Sequence, residues 1–177
     1  MEFNVEEIEI GFCPVKFNKY DAGFDVMSRY DITIPYLSTC CIPLGFKVYI
    51  KPGWEMQIRD RSHIVSETPL RVEDSPATID AGYMQEITCT IFNSINPEYI
   101  QNYNSSIYIN RFNDEGFQLN KGDRIAQVLF KEIPRIDLKI VNDIKKDAVY
   151  KRKIRNSKQG FGSTGINVYS GINLNEV

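Results

Sequence analysis

Apolar and polar positions alternate in short runs along most of the chain. In residues 84–93, Ile87, Cys89 and Ile91 share one face. Similar β-branched and aromatic runs cover residues 8–13, 24–28, 32–34, 41–50, 54–59, 107–112, 124–133 and 138–141, with Gly, Pro, Asn and Asp between them. A period of two bounded by turn residues predicts strands, and the helical period is almost absent. So many short strands at this spacing predict an all-β protein, a sandwich or barrel of the jelly-roll kind. One short helix or turn is expected after Arg61-Ser62, with Ser62 as its N-cap.

Two stretches break the alternation. Residues 94–120 begin polar and turn-rich (Asn93-Ser94-Ile95-Asn96-Pro97, then Gln101 to Ser106), which reads as a surface excursion with one or two short strands of its own. Beyond about residue 150 the core pattern ends. Lys151-Arg152-Lys153-Ile154-Arg155-Asn156-Ser157-Lys158-Gln159 is basic, and Gly160-Phe161-Gly162-Ser163-Thr164-Gly165 follows. The 177 residues therefore read as a single domain with an insertion at about 94–120 and a mobile, glycine-rich arm at about 150–177.

The turn at Ala77-Thr78-Ile79-Asp80-Ala81-Gly82-Tyr83 carries the first candidate chemistry. Gly82 can take a positive φ, so the chain can reverse there. The stretch reads as a β-hairpin with the Asp80 carboxylate at its mouth and the Tyr83 ring beside it, a place to hold a small flat ligand. An ordinary hairpin with an Asp in its turn gives the same pattern. In Asp21-Ala22-Gly23-Phe24-Asp25, Asp25 reads either as part of a solvated turn or as a carboxylate facing a cation's water shell near phosphate. Arg59-Asp60-Arg61-Ser62 offers a planar fork and a hydroxyl to phosphate oxygens, or a surface ion pair through Asp60. Gln127 interrupts an apolar run, so its amide needs partners: an oxyanion or a neighbouring loop. Phe161 between glycines has little to pack on, which leaves its ring for a planar ligand, with Ser163 and Thr164 suited to phosphate.

Composition narrows the classes. A net charge of −2 gives no global attraction to nucleic acid or an anionic membrane, so a polyanion would need a local basic cluster. No apolar run approaches the ~18 residues of a membrane span, and the acidic start Met1-Glu2-Phe3-Asn4-Val5-Glu6-Glu7 is not expected to be a signal peptide. Cys13, Cys40, Cys41 and Cys89 lack a Cys-x-x-Cys spacing, and reduced thiols in a cytoplasmic setting are the simplest reading. With His63 as the sole histidine, a zinc site is not expected.

Five strings taken in order resemble the motifs of the trimeric dUTPases: residues 21–28, 60–65, 74–86, 122–129 and 155–165, a resemblance spanning about residues 15–165. It implies a jelly-roll subunit, a homotrimer with active sites between subunits, and hydrolysis of dUTP to dUMP and pyrophosphate. By position, Asp80 orients the attacking water. Tyr83 packs on deoxyribose beside Ile79, and Arg61, Ser62 and Gln127 hold phosphates. Phe161 stacks on uracil, with Gly162, Ser163 and Thr164 alongside. Mg2+ bridges the phosphates with Asp25 in its outer shell, through water. Asp74 stands where many members carry an asparagine against the uracil edge, His63 where small residues are usual, and Asn156 where the last arginine falls, so that role passes to Arg155 or Lys158. No nucleic-acid or membrane partner is implied. The 94–120 stretch matches in position an extra segment of some phage members and suggests a regulatory protein partner. A dCTP deaminase is disfavoured: Thr90 stands where that family needs a glutamate.

Overall fold

The computed structural model describes residues 2–102 and 108–142; the side chains of 101 and 102 are not described. Among these residues are eleven strands, one α-helix and two 3₁₀ turns, an all-β jelly-roll arrangement. The body spans residues 1–135, and a second unit begins at Ile136.

Two sheets carry the architecture. The strands β2 (Phe24–Met27), β11 (Arg124–Glu132), β6 (Trp54–Arg59) and β8 (Ala77–Ile79) form one, in that order. The strands β4 (Thr39–Pro43), β9 (Thr88–Asn93) and β7 (Leu70–Val72) form another. Two pairs complete the body: β1 (Asn4–Glu7) with β5 (Phe46–Tyr49), and β3 (Ile32–Pro35) with β10 (Gly116–Leu119). All pairings are antiparallel. Inward residues of every strand but β1 meet in one core, with Val26, Ile34, Phe46, Met56, Ile58, Ile87, Cys89, Ile91, Phe117 and Val128 nearly inaccessible. Each such aliphatic or aromatic side chain contributes roughly 1.5–3 kcal/mol by leaving water. Burial also pushes the Cys89 thiol far up, so it stays protonated.

Several elements fall differently from the pattern. Residues 8–13 curl instead of pairing, because the Glu7 carboxylate accepts from the Gly11 and Cys13 amides and Gly11 takes φ 92°. The run 41–50 is two strands, broken at Leu44-Gly45 and sent to different partners. Residues 77–93 are not a hairpin: β8 pairs with β6, while β9 lies between β4 and β7, so the Asp80–Tyr83 turn links two sheets. Ile109–Arg111 is a 3₁₀ turn, its amide bonds closed locally from Arg111 to Tyr108 and from Phe112 to Ile109. Residues 138–141 form no strand among the described residues. The helix α1 (Ser62–Glu67) exists, but Arg61 is its N-cap and Ser62 is already helical.

The stretch 94–120 ends inside the fold. After the 3₁₀ helix Pro97–Asn102, the chain returns as β10 and buries Phe117 and Leu119. Gly116 crosses β3 so closely that a Cβ there would lie 2.1 Å from the Ile34 carbonyl oxygen. Since that neighbour is backbone and cannot swing away, Gly116→Ala is expected to cost about 2 kcal/mol or more. Thermal unfolding checks this; an unchanged midpoint contradicts the packing.

Candidate active site

Strand register collects the first half of the site. On β11, Gln127 stands opposite Asp25 of β2 on one side and Arg59 of β6 on the other. Residues in register share a face, so these three polar side chains lie outside while Val26, Val128 and Ile58 face the core. The register of β11 shifts between Arg124 and Ala126, and Ile125 and Ala126 are both fully buried. This bulge turns Arg124 toward Asp25, the re-aiming that bulges commonly provide.

Asp25 is clamped by two guanidinium groups. Arg61 Nε donates to its Oδ1 at 2.7 Å and Arg124 Nη1 to its Oδ2 at 3.1 Å. A further bond from Arg61 Nη1 to the Arg124 carbonyl oxygen, at 3.1 Å, fixes the first guanidinium across the strand ends. Gln127 Nε2 donates to the Asp60 carbonyl oxygen at 2.8 Å, and Asp60 Oδ1 accepts from the Val72 amide at 2.7 Å. Of the two openings for Gln127 the structure thus shows the loop contact. Asp60 is held to backbone, and the ion pairs of this corner are Arg61–Asp25 and Arg124–Asp25. An open cavity of about 360 Å³ lies over these groups, lined by Phe17, Asp21, Asp25, Arg61, Ser62, His63, Arg124 and Gln127. Each guanidinium carries five N–H donors and commits only one or two to these contacts, which leaves donors for an anion.

The second half stands elsewhere. Ile79 pairs with Met56, so Asp80 falls level with Glu55, at the end of β6 opposite Arg61. Six residues of extended chain at about 3.3 Å each separate those levels by roughly 20 Å. Asp80 and Tyr83 are both exposed. The Tyr83 amide donates to the Asp80 carbonyl oxygen at 3.2 Å, and Gly82 takes the positive φ, 94°, that the turn requires. The far end of the turn is pinned by Glu86, which accepts from the Gly45 amide at 2.9 Å and from Arg29 Nη1 at 3.0 Å. Asp74 is exposed in the link from β7 to β8, next to Ser75, whose hydroxyl accepts from the Asp60 amide at 3.4 Å.

Of the predicted residues, Asp25, Arg61, Ser62 and Gln127 are thus brought together, while Ile79, Asp80 and Tyr83 are not on the same cavity. Arg155, Lys158, Phe161, Gly162, Ser163 and Thr164 lie outside the described residues. Sequence reasoning missed Arg124. Its signal was the adjacent apolar pair Ile125-Ala126, which breaks the alternation and marks the bulge.

An antiparallel jelly roll with an arginine-clamped carboxylate in an open polar cleft is the class that fold and geometry define. The family model for dUTPase matches residues 95–165. The deoxyuridine 5'-triphosphate nucleotidohydrolase of Clostridium kluyveri is 30% identical over 166 residues, covering 93% of this chain and 99% of that one. That of Wolbachia pipientis subsp. Culex pipiens is 30% identical over 146 residues, 81% of this chain and 80% of that one. Among solved structures, the dUTPase of Staphylococcus bacteriophage 80alpha with dUpNHpp superposes with a TM-score of 0.71 at 24% identity, covering 93% of this chain and 99% of that one. A point mutant of the dUTPase of phage phi11 of S. aureus, described with a structural Mg(II) ion, gives 0.66 at 25% identity, over 82% and 99%. The chain belongs to the dUTPase family.

Proposed function

We propose that the chain hydrolyses dUTP to dUMP and pyrophosphate, which limits uracil incorporation into DNA and supplies dUMP for dTMP synthesis. The observation that carries this reading is the convergence of Arg61, Ser62, Gln127 and Asp25 on one cleft, from β2, β11 and the start of α1 in a dUTPase-family chain. Phosphates bind there through guanidinium, hydroxyl and amide donors. Asp80 orients and deprotonates the water that attacks the α-phosphate, Tyr83 packs on deoxyribose beside Ile79, and Asp74 lies toward the base. Phe161 covers uracil, and Gly162, Ser163, Thr164 and Arg155 or Lys158 complete the phosphate shell.

A homotrimer with sites shared between copies is supported by the roughly 20 Å between Asp80 and Arg61 along β6. The α- and γ-phosphates of one nucleotide are only a few ångström apart, so the two groups serve one substrate only if they come from different copies. Ile136, Leu138 and Ile140 stand 69%, 93% and 97% exposed, an apolar surface of the kind that another copy of the chain would cover.

Mg2+ fits as an ion carried by the nucleotide. Among the described residues no three carboxylate, His or Cys groups stand together to hold a metal. The Asp25 oxygens already share their lone pairs with guanidinium groups, which suits contact through the ion's own water. When bound, the ion neutralises charge on the phosphate oxygens.

Pyrophosphate release from each deoxynucleoside triphosphate with Mg2+ tests the reading; dUTP is expected to be the best substrate, and a better rate with dCTP overturns it. Asp74→Asn adds a donor that ionised aspartate lacks, and is expected to widen the dUTP/dCTP ratio of kcat/KM by a few-fold. An unchanged ratio shows that Asp74 does not face the base.

A regulatory reading is compatible with the enzymatic one. Phage dUTPases, that of Staphylococcus bacteriophage 80alpha among them, are described as controlling transfer of virulence genes by a proto-oncogenic G protein-like mechanism. A protein partner for this chain would meet the 94–120 stretch, where Tyr99 is exposed. Capture of a defined partner by the intact chain, lost on removal of residues 97–106, tests it.

A further inference from the structure

His63 lines the phosphate cleft beside Arg61 and Ser62. Its Nε2 lies 2.9 Å from the Tyr108 hydroxyl, and the two rings meet edge-on with centroids 5.9 Å apart. Tyr108 is itself seated against Phe117, a ring of the core, at 6.3 Å. The phenol is therefore held in place by packing, and the imidazole is held by the phenol. A second cavity, of about 220 Å³, is lined by Tyr108 and shares Arg61, His63 and Arg124 with the first.

We propose that His63 is a phosphate-binding residue of this cleft and that Tyr108 is the positioning residue that fixes its donor nitrogen. A phenol is a stronger acid than a neutral imidazole N–H, and an imidazole nitrogen is a better acceptor than a phenolic oxygen, so Tyr108 donates and Nε2 accepts. The remaining ring proton then sits on Nδ1, where it is a hydrogen-bond donor toward an anion. Without the phenol the ring rotates and exchanges tautomers, and a bound phosphate must order it. Arg61, Ser62 and Gln127 supply the other donors, so His63 adds to a site that exists without it. A residue in the middle of the 94–120 stretch thereby acts on the nucleotide's phosphates through one hydrogen bond.

The proposal rests on the reading that this cleft takes a triphosphate, and its test separates the two. The full chain with Mg2+ is titrated with inorganic tripolyphosphate. His63→Ala is expected to weaken binding about ten-fold and Tyr108→Phe about five-fold, as for one lost hydrogen bond to a charged group. The double variant is expected to bind like His63→Ala alone, since the tyrosine acts only through the histidine. His63→Asn places an amide N–H near the Nδ1 position and is expected to retain most of the affinity. In that background Tyr108→Phe is expected to have no effect, whereas a merely structural tyrosine weakens binding there too. Wild-type affinity in His63→Ala overturns the proposal, and so does an equal loss from Tyr108→Phe in both backgrounds. Affinity that follows the substitutions in a chain inactive on dUTP overturns the proposed function and keeps the pair. Turnover of dUTP with affinity indifferent to His63 does the reverse.

Discussion

Asp80→Asn is expected to lower turnover of dUTP by roughly 10²–10⁴ while nucleotide affinity stays within a few-fold, the usual span for loss of a general base. The substitution keeps shape and removes only the capacity to take a proton. Binding is expected to survive because Arg61, Ser62 and Gln127, the proposed phosphate donors, line a cleft that Asp80 does not. The turn that presents Asp80 also keeps its shape. Its closing bond from the Tyr83 amide uses the Asp80 backbone carbonyl, and its far end is fixed by Glu86 on the Gly45 amide and Arg29. Pyrophosphate release measures the rate, and titration with a non-hydrolysable dUTP analogue measures affinity. Turnover within ten-fold of wild type sinks the assignment, and a matching collapse of affinity shows that Asp80 binds substrate instead of activating water.

How much of this was legible in the sequence depends on what each residue's neighbours had to satisfy. The strands buried on one face were readable because alternation records burial. β6 begins and ends where the pattern places it, and Ile87, Cys89 and Ile91 all point inward. Alternation does not record the partner, so residues 77–93 looked like a hairpin when their strands belong to two sheets. β1 was misplaced because all four of its residues are exposed and leave no apolar trace. The 3₁₀ turn at Ile109–Arg111 passed for a strand because its apolar residues follow no helical period over so short a span. In the site, Asp25 and Arg61 stood out as polar residues at the edges of apolar runs, and Gln127 as one inside such a run. Arg124 did not, because its role comes from a bulge that changes its direction and not its chemistry. His63 carried no such signal for a related reason: its partner, Tyr108, is remote in sequence and meets it only in the fold.

Mixing two inactive variants is expected to restore activity. Arg61→Ala removes a phosphate donor and also strips Asp25 of its shorter ion pair, at 2.7 Å, leaving only Arg124 at 3.1 Å. Asp80→Asn removes the base. If both groups acted on one substrate from the same subunit, every site in a mixed assembly would lack one of them, and the mixture would be as inactive as its components. The register of β8 on β6 argues against that arrangement, because it puts Asp80 level with Glu55, roughly 20 Å along the strand from Arg61. With the groups drawn from different copies, a site is intact when its base comes from an Arg61→Ala subunit and its phosphate donor from an Asp80→Asn subunit. Random assembly of equal amounts makes each condition true half the time, so about a quarter of the sites recover in a closed cyclic oligomer. The two purified variants are unfolded together, refolded and assayed for pyrophosphate release, with each variant refolded alone as the control. Recovery near a quarter of wild type supports shared sites. A mixture no more active than its parts, in an oligomer shown to contain both variants, means that one subunit builds the whole site and that the separation along β6 has been misread.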